Sequence, residues 1–242
     1  MRIFYLLYET IIEALFPLSE TEKELFSYSV ADISKTLPPA PSYSGLAVPL
    51  PESGSLFAYK DKRVEQLVWN IKYKKSAQAV KLAGYSLFEY INKQPTDMAC
   101  LILPMPITKQ RRRERGYNQC ELLTNEMRRL CLEHETNNKL DDTCAARFIF
   151  ENNLLIRTHH DGRHTLKGRA DRVESAKGIF GVDEKILNKL SIEFNKSGKE
   201  PLTQVKVIII DDVITTGSTM REAIDTMKKS GFVNVSGLSV AH

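Results

Sequence analysis

Hydrophobic and polar positions along most of the chain predict strands and helices in alternation. Apolar runs typical of strands occur at residues 55–60, 99–106, 153–157, 178–182, 205–210 and 233–240. Amphipathic helical spacing is found at residues 63–73, 77–91, 120–134, 169–178 and 218–231, whereas residues 135–153 are polar and predict no clear element. This alternation predicts an α/β fold with a mainly parallel sheet, helices on both faces, and ligands beyond the carboxyl ends of the strands.

The first 55 residues follow a different pattern. Residues 1–36 predict an amphipathic helical segment, because Glu9 and Glu13 interrupt the apolar run and no small-residue cleavage site of a signal peptide follows. Residues 37–55 contain five prolines together with serines and glycines, which is typical of a linker. We therefore expect an N-terminal helical segment (1–36), a linker (37–55) and one α/β domain (56–242). Without an apolar run of membrane-spanning length, no membrane span is expected.

Composition changes this interpretation little. The chain has 42% hydrophobic residues and a formal net charge of +4, which is typical of a folded domain and compatible with an anionic ligand. Its four cysteines contain no C-x-x-C pair and therefore predict no zinc or redox motif. We expect reduced thiols and a cytoplasmic protein.

The clearest candidate site follows the apolar run at residues 205–210. Asp211 and Asp212 would emerge side by side at the carboxyl edge of the sheet. The hydroxyls, glycine and helix-start N–H groups of Thr215–Thr219 would bind a phosphate, while carboxylates accept hydrogen bonds from vicinal hydroxyls. The residues predict a ribose 5-phosphate ligand. The G-x-x-x-x-G-K-[ST] motif of nucleoside triphosphatases is absent.

A second anion site is predicted after the apolar run at residues 99–106. Five of the seven residues in Lys109–Arg115 are basic, in a segment that we interpret as a loop. Arginine pairs with phosphate oxygens in two-point fashion, so this segment suits a pyrophosphate or the backbone of single-stranded DNA.

These two segments resemble the type I phosphoribosyltransferases and, within them, the ComF-type competence proteins. VIIIDDVITTGST is similar to their phosphoribosyl pyrophosphate motif, and PMPITKQRRRERGYNQ to the pyrophosphate loop of the ComF branch. The resemblance implies that Asp211 and Asp212 bind the ribose hydroxyls and Mg²⁺, directly or through those hydroxyls, and act in catalysis with Arg115. It assigns the 5-phosphate to Thr215, Thr216, Gly217, Ser218 and Thr219. It assigns the pyrophosphate to Lys72, Pro106, Arg113, Arg115, Gly116 and Asn118.

The resemblance also covers weaker matches. Arg169, Arg172 and Phe180 fit a segment of spaced arginines, although Ser175 stands where the family usually has asparagine. The LFP sequence at residues 15–17 resembles a feature that precedes a four-cysteine zinc module in ComF proteins. Because the next cysteine in this chain is Cys100, far beyond that segment, no structural zinc is expected.

By this resemblance the chain is expected to be a phosphoribosyltransferase-like protein that uses Mg²⁺ and phosphoribosyl pyrophosphate. Its fold is expected to be that of a type I phosphoribosyltransferase, with a small N-terminal region that covers the site. A role in natural competence is implied, with single-stranded DNA, bound through Lys109–Arg115, and a competence helicase as candidate partners. Two alternatives stay open: a noncatalytic nucleotide-sensing or DNA-uptake partner, and a purine or pyrimidine salvage enzyme.

Three other groups of residues have a structural explanation that we favour. His159, His160 and His164 are more typical of an exposed loop than of a metal site. Trp69 and Tyr73 are spaced as on the buried face of a helix. Cys120 is a weak candidate for a catalytic nucleophile, because the sequence shows no histidine paired with it.

Overall fold

The central element is a parallel sheet of five strands in the order β1-β7-β6-β2-β3. The computed structural model describes residues 18–43, 50, 52–94, 98–137, 147–158, 178–196 and 202–242. The sheet strands are β1 (Gly54–Phe57), β2 (Cys100–Pro104), β3 (Phe148–Phe150), β6 (Lys206–Val213) and β7 (Asn234–Ala241). Two short strands, β4 (Leu155–Arg157) and β5 (Phe180–Val182), pair antiparallel in a separate sheet.

Helices connect and cover these strands. They are α1 (Glu20–Ser27), α2 (Ile33–Thr36), α3 (Lys62–Trp69), α4 (Ala77–Asn92), α5 (Lys109–Arg115), α6 (Gln119–Asn137), α7 (Glu184–Lys196) and α8 (Ser218–Lys229). A π-helical turn, Asn70–Lys74, continues α3 directly, and a short 3₁₀ turn, Leu202–Gln204, precedes β6.

The alternation of side chains along β6 separates two hydrophobic cores. Ile208 and Ile210 lie in one core with residues of α1 to α4 and α6, whereas Val207 and Ile209 lie in the other with residues of α7 and α8. A fully buried side chain of this size contributes roughly 1.5–3 kcal/mol, so four in succession make β6 a firm support for the residues that follow it. The predicted α/β class with helices on both faces is confirmed, and it is consistent with a phosphoribosyltransferase-like fold.

The strand order creates a crevice at the carboxyl ends of β2 and β6. In the sheet, β3 follows β2 in the chain and lies on one side of it. On the other side of β2 lies β6, and β7, which follows β6 in the chain, lies beyond β6. The two connections therefore run in opposite directions from the boundary between β2 and β6. In open α/β sheets such a reversal is where ligands bind. Pairing between β2 and β6 ends at Pro104 and Ile210, but β6 continues to Val213. Asp211 and Asp212 therefore extend past the end of β2.

The sequence prediction for Lys109–Arg115 is wrong. Lys109–Arg115 is the helix α5 and not a loop, because the Thr108 hydroxyl accepts a hydrogen bond from the Arg111 N–H at 3.1 Å and caps it. Gly116, in the left-handed region at φ 77°, ends this helix. The strand β3 lies in the region for which the sequence predicted no clear element.

The cysteines also differ from expectation. Cys100 and Cys120 are free and buried, whereas Cys131 is disulfide-bonded, so the expectation of reduced thiols is wrong at Cys131. The cysteine spacing gives no motif from which a bridge could be predicted.

Several predictions fall outside the described residues. They include the helix before residue 18, the helix at residues 169–178 with Arg169, Arg172 and Ser175, and the three histidines at residues 159–164. Within the part of the chain that the structure describes, no helix is both long and apolar enough to cross a bilayer.

Candidate functional site

A cleft of about 390 Å³ opens at the carboxyl ends of β2 and β6. Its walls come from the π-helical turn, the segment after β2, the end of β6 and the start of α8. The structure brings together there most of the residues predicted for the ligand: Lys72, Pro106, Arg115, Asp211, Asp212, Thr215, Thr216, Gly217 and Thr219.

Four other predicted site residues do not line this cleft. Arg113 is exposed on α5, and Gly116 ends that helix. Asn118 is buried, where its amide donates to the Met105 carbonyl at 3.0 Å and its oxygen accepts from the Cys120 N–H at 3.0 Å. Ser218 is buried beside Thr216, with 3.0 Å between their hydroxyl oxygens. Asn118 and Ser218 thus hold the two loops in shape.

Asp212 is a buried carboxylate with one oxygen still available. Its Oδ1 lies 3.3 Å from the Lys72 ammonium, and the residue is 4% exposed. Its Oδ2 is buried and accepts no hydrogen bond from the part of the chain that the structure describes. An unsatisfied buried acceptor is costly, and in a cleft wall it favours a ligand that brings a donor or a cation.

Asp211 faces different partners, because successive side chains of a strand point to opposite sides. Its Oδ1 accepts from the Cys120 thiol, at an S···O distance of 3.5 Å, and from the Asp212 backbone N–H at 2.8 Å. Burial, followed by the negative charge of Asp212, raises the pKa of Asp211 to about 7. The two carboxylates both line the cleft, and each has its own set of contacts.

The start of α8 is suited to an anion. Gly217 takes the left-handed conformation, with φ 82°, that a residue with a side chain adopts only with strain. Gly217, at the N-cap, has no side chain to cap the helix, and the Ser218 N–H makes only a long contact of 3.5 Å with the Thr216 hydroxyl. The partial positive charge of this helix end adds to the attraction for a phosphate.

Cations form another part of the cleft. Lys72 and Arg115 line it together with Arg111 and Arg157. Arg115 donates to the Gln119 side-chain oxygen at 2.8 Å, and its guanidinium lies 5.1 Å from the centre of the Tyr73 ring. This anchoring holds a guanidinium at the cleft wall, where it can pair with a phosphate oxygen.

The aromatic pair at the π-helical turn is exposed, so the prediction that it belongs to the core is wrong. Trp69 is 43% and Tyr73 59% exposed, and their ring centres are 5.7 Å apart. Tyr73 lines the cleft. The wider π-helical turn changes which side chains share a face, and the sequence spacing alone could not reveal this.

Tyr59 and Arg157 line the cleft although the sequence assigned neither of them to the site. Tyr59 follows β1, and Arg157 ends β4. Both stand at the carboxyl end of a predicted strand, which is the only signal that could have suggested them.

The chain is similar to two competence proteins, although no protein family model matches it. Competence protein ComFC of Bacillus subtilis is 22% identical over 182 residues, which cover 75% of this chain and 60% of that protein. Competence protein F of Haemophilus influenzae is 28% identical over 142 residues, which cover 58% of this chain and 50% of that protein. The matched region therefore spans between half and three fifths of each relative's length.

Proposed function

We propose that this chain, a ComF-type protein by its similarity to the two competence proteins, binds Mg–phosphoribosyl pyrophosphate in the cleft and transfers its phosphoribosyl group. The observation that supports this most strongly is that one cleft joins an uncapped helix start, two carboxylates and a set of cations. A phosphorylated sugar that also carries a pyrophosphate needs all three kinds of group.

The ligand fits these groups in one direction. The 5-phosphate would lie against Thr215–Thr219 and the start of α8, and the ribose hydroxyls would donate to Asp211 and Asp212. The pyrophosphate would lie toward Lys72 and Arg115. In the absence of ligand, Lys72 balances the charge of Asp212, so the buried carboxylate is not left unpaired.

Mg²⁺ fits the same site. It prefers oxygen ligands and is commonly held by one or two carboxylates together with substrate phosphates, and the unsatisfied Oδ2 of Asp212 is such an oxygen. We propose that Asp211 and Asp212 hold it, directly or through the ligand hydroxyls. When bound, it would offset the negative charge of the pyrophosphate.

The transfer needs no nucleophile from the protein. Negative charge on Asp211 and Asp212 would stabilise the positive charge that develops on the sugar as the bond to pyrophosphate breaks. Arg115 would interact more strongly as charge grows on the departing pyrophosphate, which lowers the barrier more than it tightens ground-state binding.

The competence relatives support a competence-related function for this chain. We further propose that single-stranded DNA binds along α5, whose residues Arg111, Arg112 and Arg113 are exposed. A competence helicase is the protein partner that this role would call for.

Calorimetric titration tests the ligand assignment. Asp211→Asn combined with Asp212→Asn removes both charges while leaving the apolar part of β6 unchanged, and each lost charged hydrogen bond should cost about 1.5–3 kcal/mol of binding. Binding of Mg–phosphoribosyl pyrophosphate that is equal in the wild type and in a folded double variant would contradict the proposal.

A pyrophosphate-release assay across purines, pyrimidines and nicotinate tests turnover separately. Release with one of these bases would favour a salvage enzyme. A protein that binds the ligand but releases no pyrophosphate with any base would be the noncatalytic sensor or uptake partner, with the same binding site.

A further inference from the structure

A buried carboxylate on α1 contacts the turn that carries Lys72. Glu22 is 3% exposed, and its Oε2 accepts from the backbone N–H of Ser19 at 3.0 Å in a capping box at the start of α1. Its Oε1 accepts instead from distant residues, namely the Asn70 amide at 2.9 Å and the Lys74 ammonium at 2.6 Å. A capping box needs only the first of these contacts.

These contacts fix Glu22 in one arrangement. A buried carboxylate that loses a partner leaves a charge without compensation, which is strongly destabilising. Asn70 is itself 1% exposed, so its amide has no water to bond with if Glu22 moves. The three groups therefore connect α1 rigidly to the π-helical turn.

The π-helical turn is held from its other side as well. The Tyr117 hydroxyl donates to the Ile71 carbonyl at 3.0 Å and accepts from the Lys75 N–H at 3.1 Å. Lys75 has φ 51°, a left-handed conformation that is unfavourable for lysine. A π-helical turn is rare and recurs at functional sites, and this one persists because Glu22 and Tyr117 satisfy its polar groups.

Two cleft residues lie between these anchors. Lys72 reaches Asp212 at 3.3 Å, and Tyr73 places its ring 5.1 Å from the Arg115 guanidinium. Their positions depend on the path of the turn. Glu22 does not line the cleft, so any effect that it has on a ligand must pass through the turn.

We propose that Glu22 is a positioning residue of the cleft: through Asn70 and Lys74 it holds the π-helical turn so that Lys72 faces the ligand. Segment 18–36 is thus part of the machinery of the site. The identity of the ligand in this inference rests on the proposed function, whereas the coupling between α1 and the turn does not.

The single tryptophan of the chain reports on the turn without any ligand. Trp69 lies directly before the turn, and the Lys74 ammonium is 5.1 Å from its ring centre. Glu22→Gln removes the charge that holds Lys74, so the emission maximum and iodide quenching of Trp69 should change. The matched control is Glu24→Gln on the same helix, since Glu24 is exposed and bonds to Tyr28 and Arg63. It should leave Trp69 unchanged.

Titration with Mg–phosphoribosyl pyrophosphate then tests the effect on the cleft. We expect Glu22→Gln to bind at least tenfold more weakly than the wild type, and Glu24→Gln to bind equally well. If Glu22 acts through Lys72, the same substitution in a Lys72→Ala background should lose less than threefold. A general loss of stability would weaken binding in both backgrounds.

The outcomes separate the two proposals. If the wild type does not bind the ligand, the proposed function fails, and Trp69 still decides the coupling. A folded Glu22→Gln protein with unchanged Trp69 emission overturns the inference. So does a Glu22→Gln protein whose ligand affinity equals that of the wild type. The inference also fails if Glu22→Gln weakens ligand binding just as much in the Lys72→Ala background. If Glu22→Gln does not fold, Lys74→Gln replaces it in the same measurements, because the Lys74 side chain is 38% exposed.

Discussion

Replacing Asp211 by asparagine should stabilise the folded protein at neutral pH, although it removes a residue that we assign to the ligand. Burial and the charge of Asp212 raise the pKa of Asp211 from 3.8 to about 7, so its ionised form is the unfavourable one. Asparagine has nearly the same shape, and its oxygen can still accept from Cys120 and from the backbone of residue 212. The substitution therefore removes mainly the charge.

The sign and size of the effect follow from the two pKa values. The folded protein holds this proton more tightly than the unfolded chain, so the stability that Asp211 contributes is present below pH 4 and is lost as the pH rises toward 7. Each pKa unit corresponds to about 1.4 kcal/mol, which sets an upper limit of about 4 kcal/mol on the gain in Asp211→Asn at pH 8. More than half of this gain develops between pH 5 and pH 8.

Urea unfolding of the wild type and the variant at pH 5 and pH 8 measures this gain. The free energy of unfolding should be larger in Asp211→Asn, and the difference should widen at pH 8. In Asp212→Asn the pH dependence should weaken, because the charge of Asp212 contributes to the raised pKa of Asp211. A variant that is no more stable than the wild type at pH 8, or a difference that does not change with pH, would refute this reasoning.

Three further outcomes are expected. Burial alone would raise the pKa of Glu22. Its hydrogen bonds outweigh this effect, that of Lys74 most strongly, and lower the pKa from 4.5 to about 2. Glu22→Gln should therefore lose up to about 3 kcal/mol of unfolding free energy at pH 7, and urea unfolding should show this difference closing as the pH falls through 4 toward 2. Arg115→Ala should lose two or more orders of magnitude in turnover, about 3 kcal/mol, whereas Arg113→Ala, outside the cleft, should keep most of the rate in the pyrophosphate-release assay. Replacing three arginines of Lys109–Arg115 should change how the affinity for single-stranded DNA depends on salt: the slope of log affinity against log salt concentration should fall by about two to three. Fluorescence anisotropy measures this slope, and an unchanged slope would show that these arginines do not contact the DNA phosphates.

The sheet could be predicted from the sequence because its central strands are continuous apolar runs. Residues 207–210 and 100–104 are buried in the sheet interior, and a polar segment follows each of them at the carboxyl edge. The strand β3 was not predicted, since three residues between polar segments carry too little periodicity.

The candidate site was predictable only in part. The order of strand, acidic pair and hydroxyl loop is local, and such patterns can be read from the sequence. Contacts between distant residues cannot be read in this way, such as Cys120 with Asp211 or Glu22 with Lys74. The exposure of Trp69 likewise follows from a π-helical turn that no residue in the sequence marks.

A crystal structure of the protein grown with Mg²⁺ and phosphoribosyl pyrophosphate would test the central claim most directly. We expect the 5-phosphate at the start of α8, the ribose hydroxyls at Asp211 and Asp212, and the pyrophosphate near Lys72 and Arg115. An empty cleft at saturating ligand, or a ligand bound elsewhere or with its pyrophosphate at Thr215–Thr219, would contradict the account.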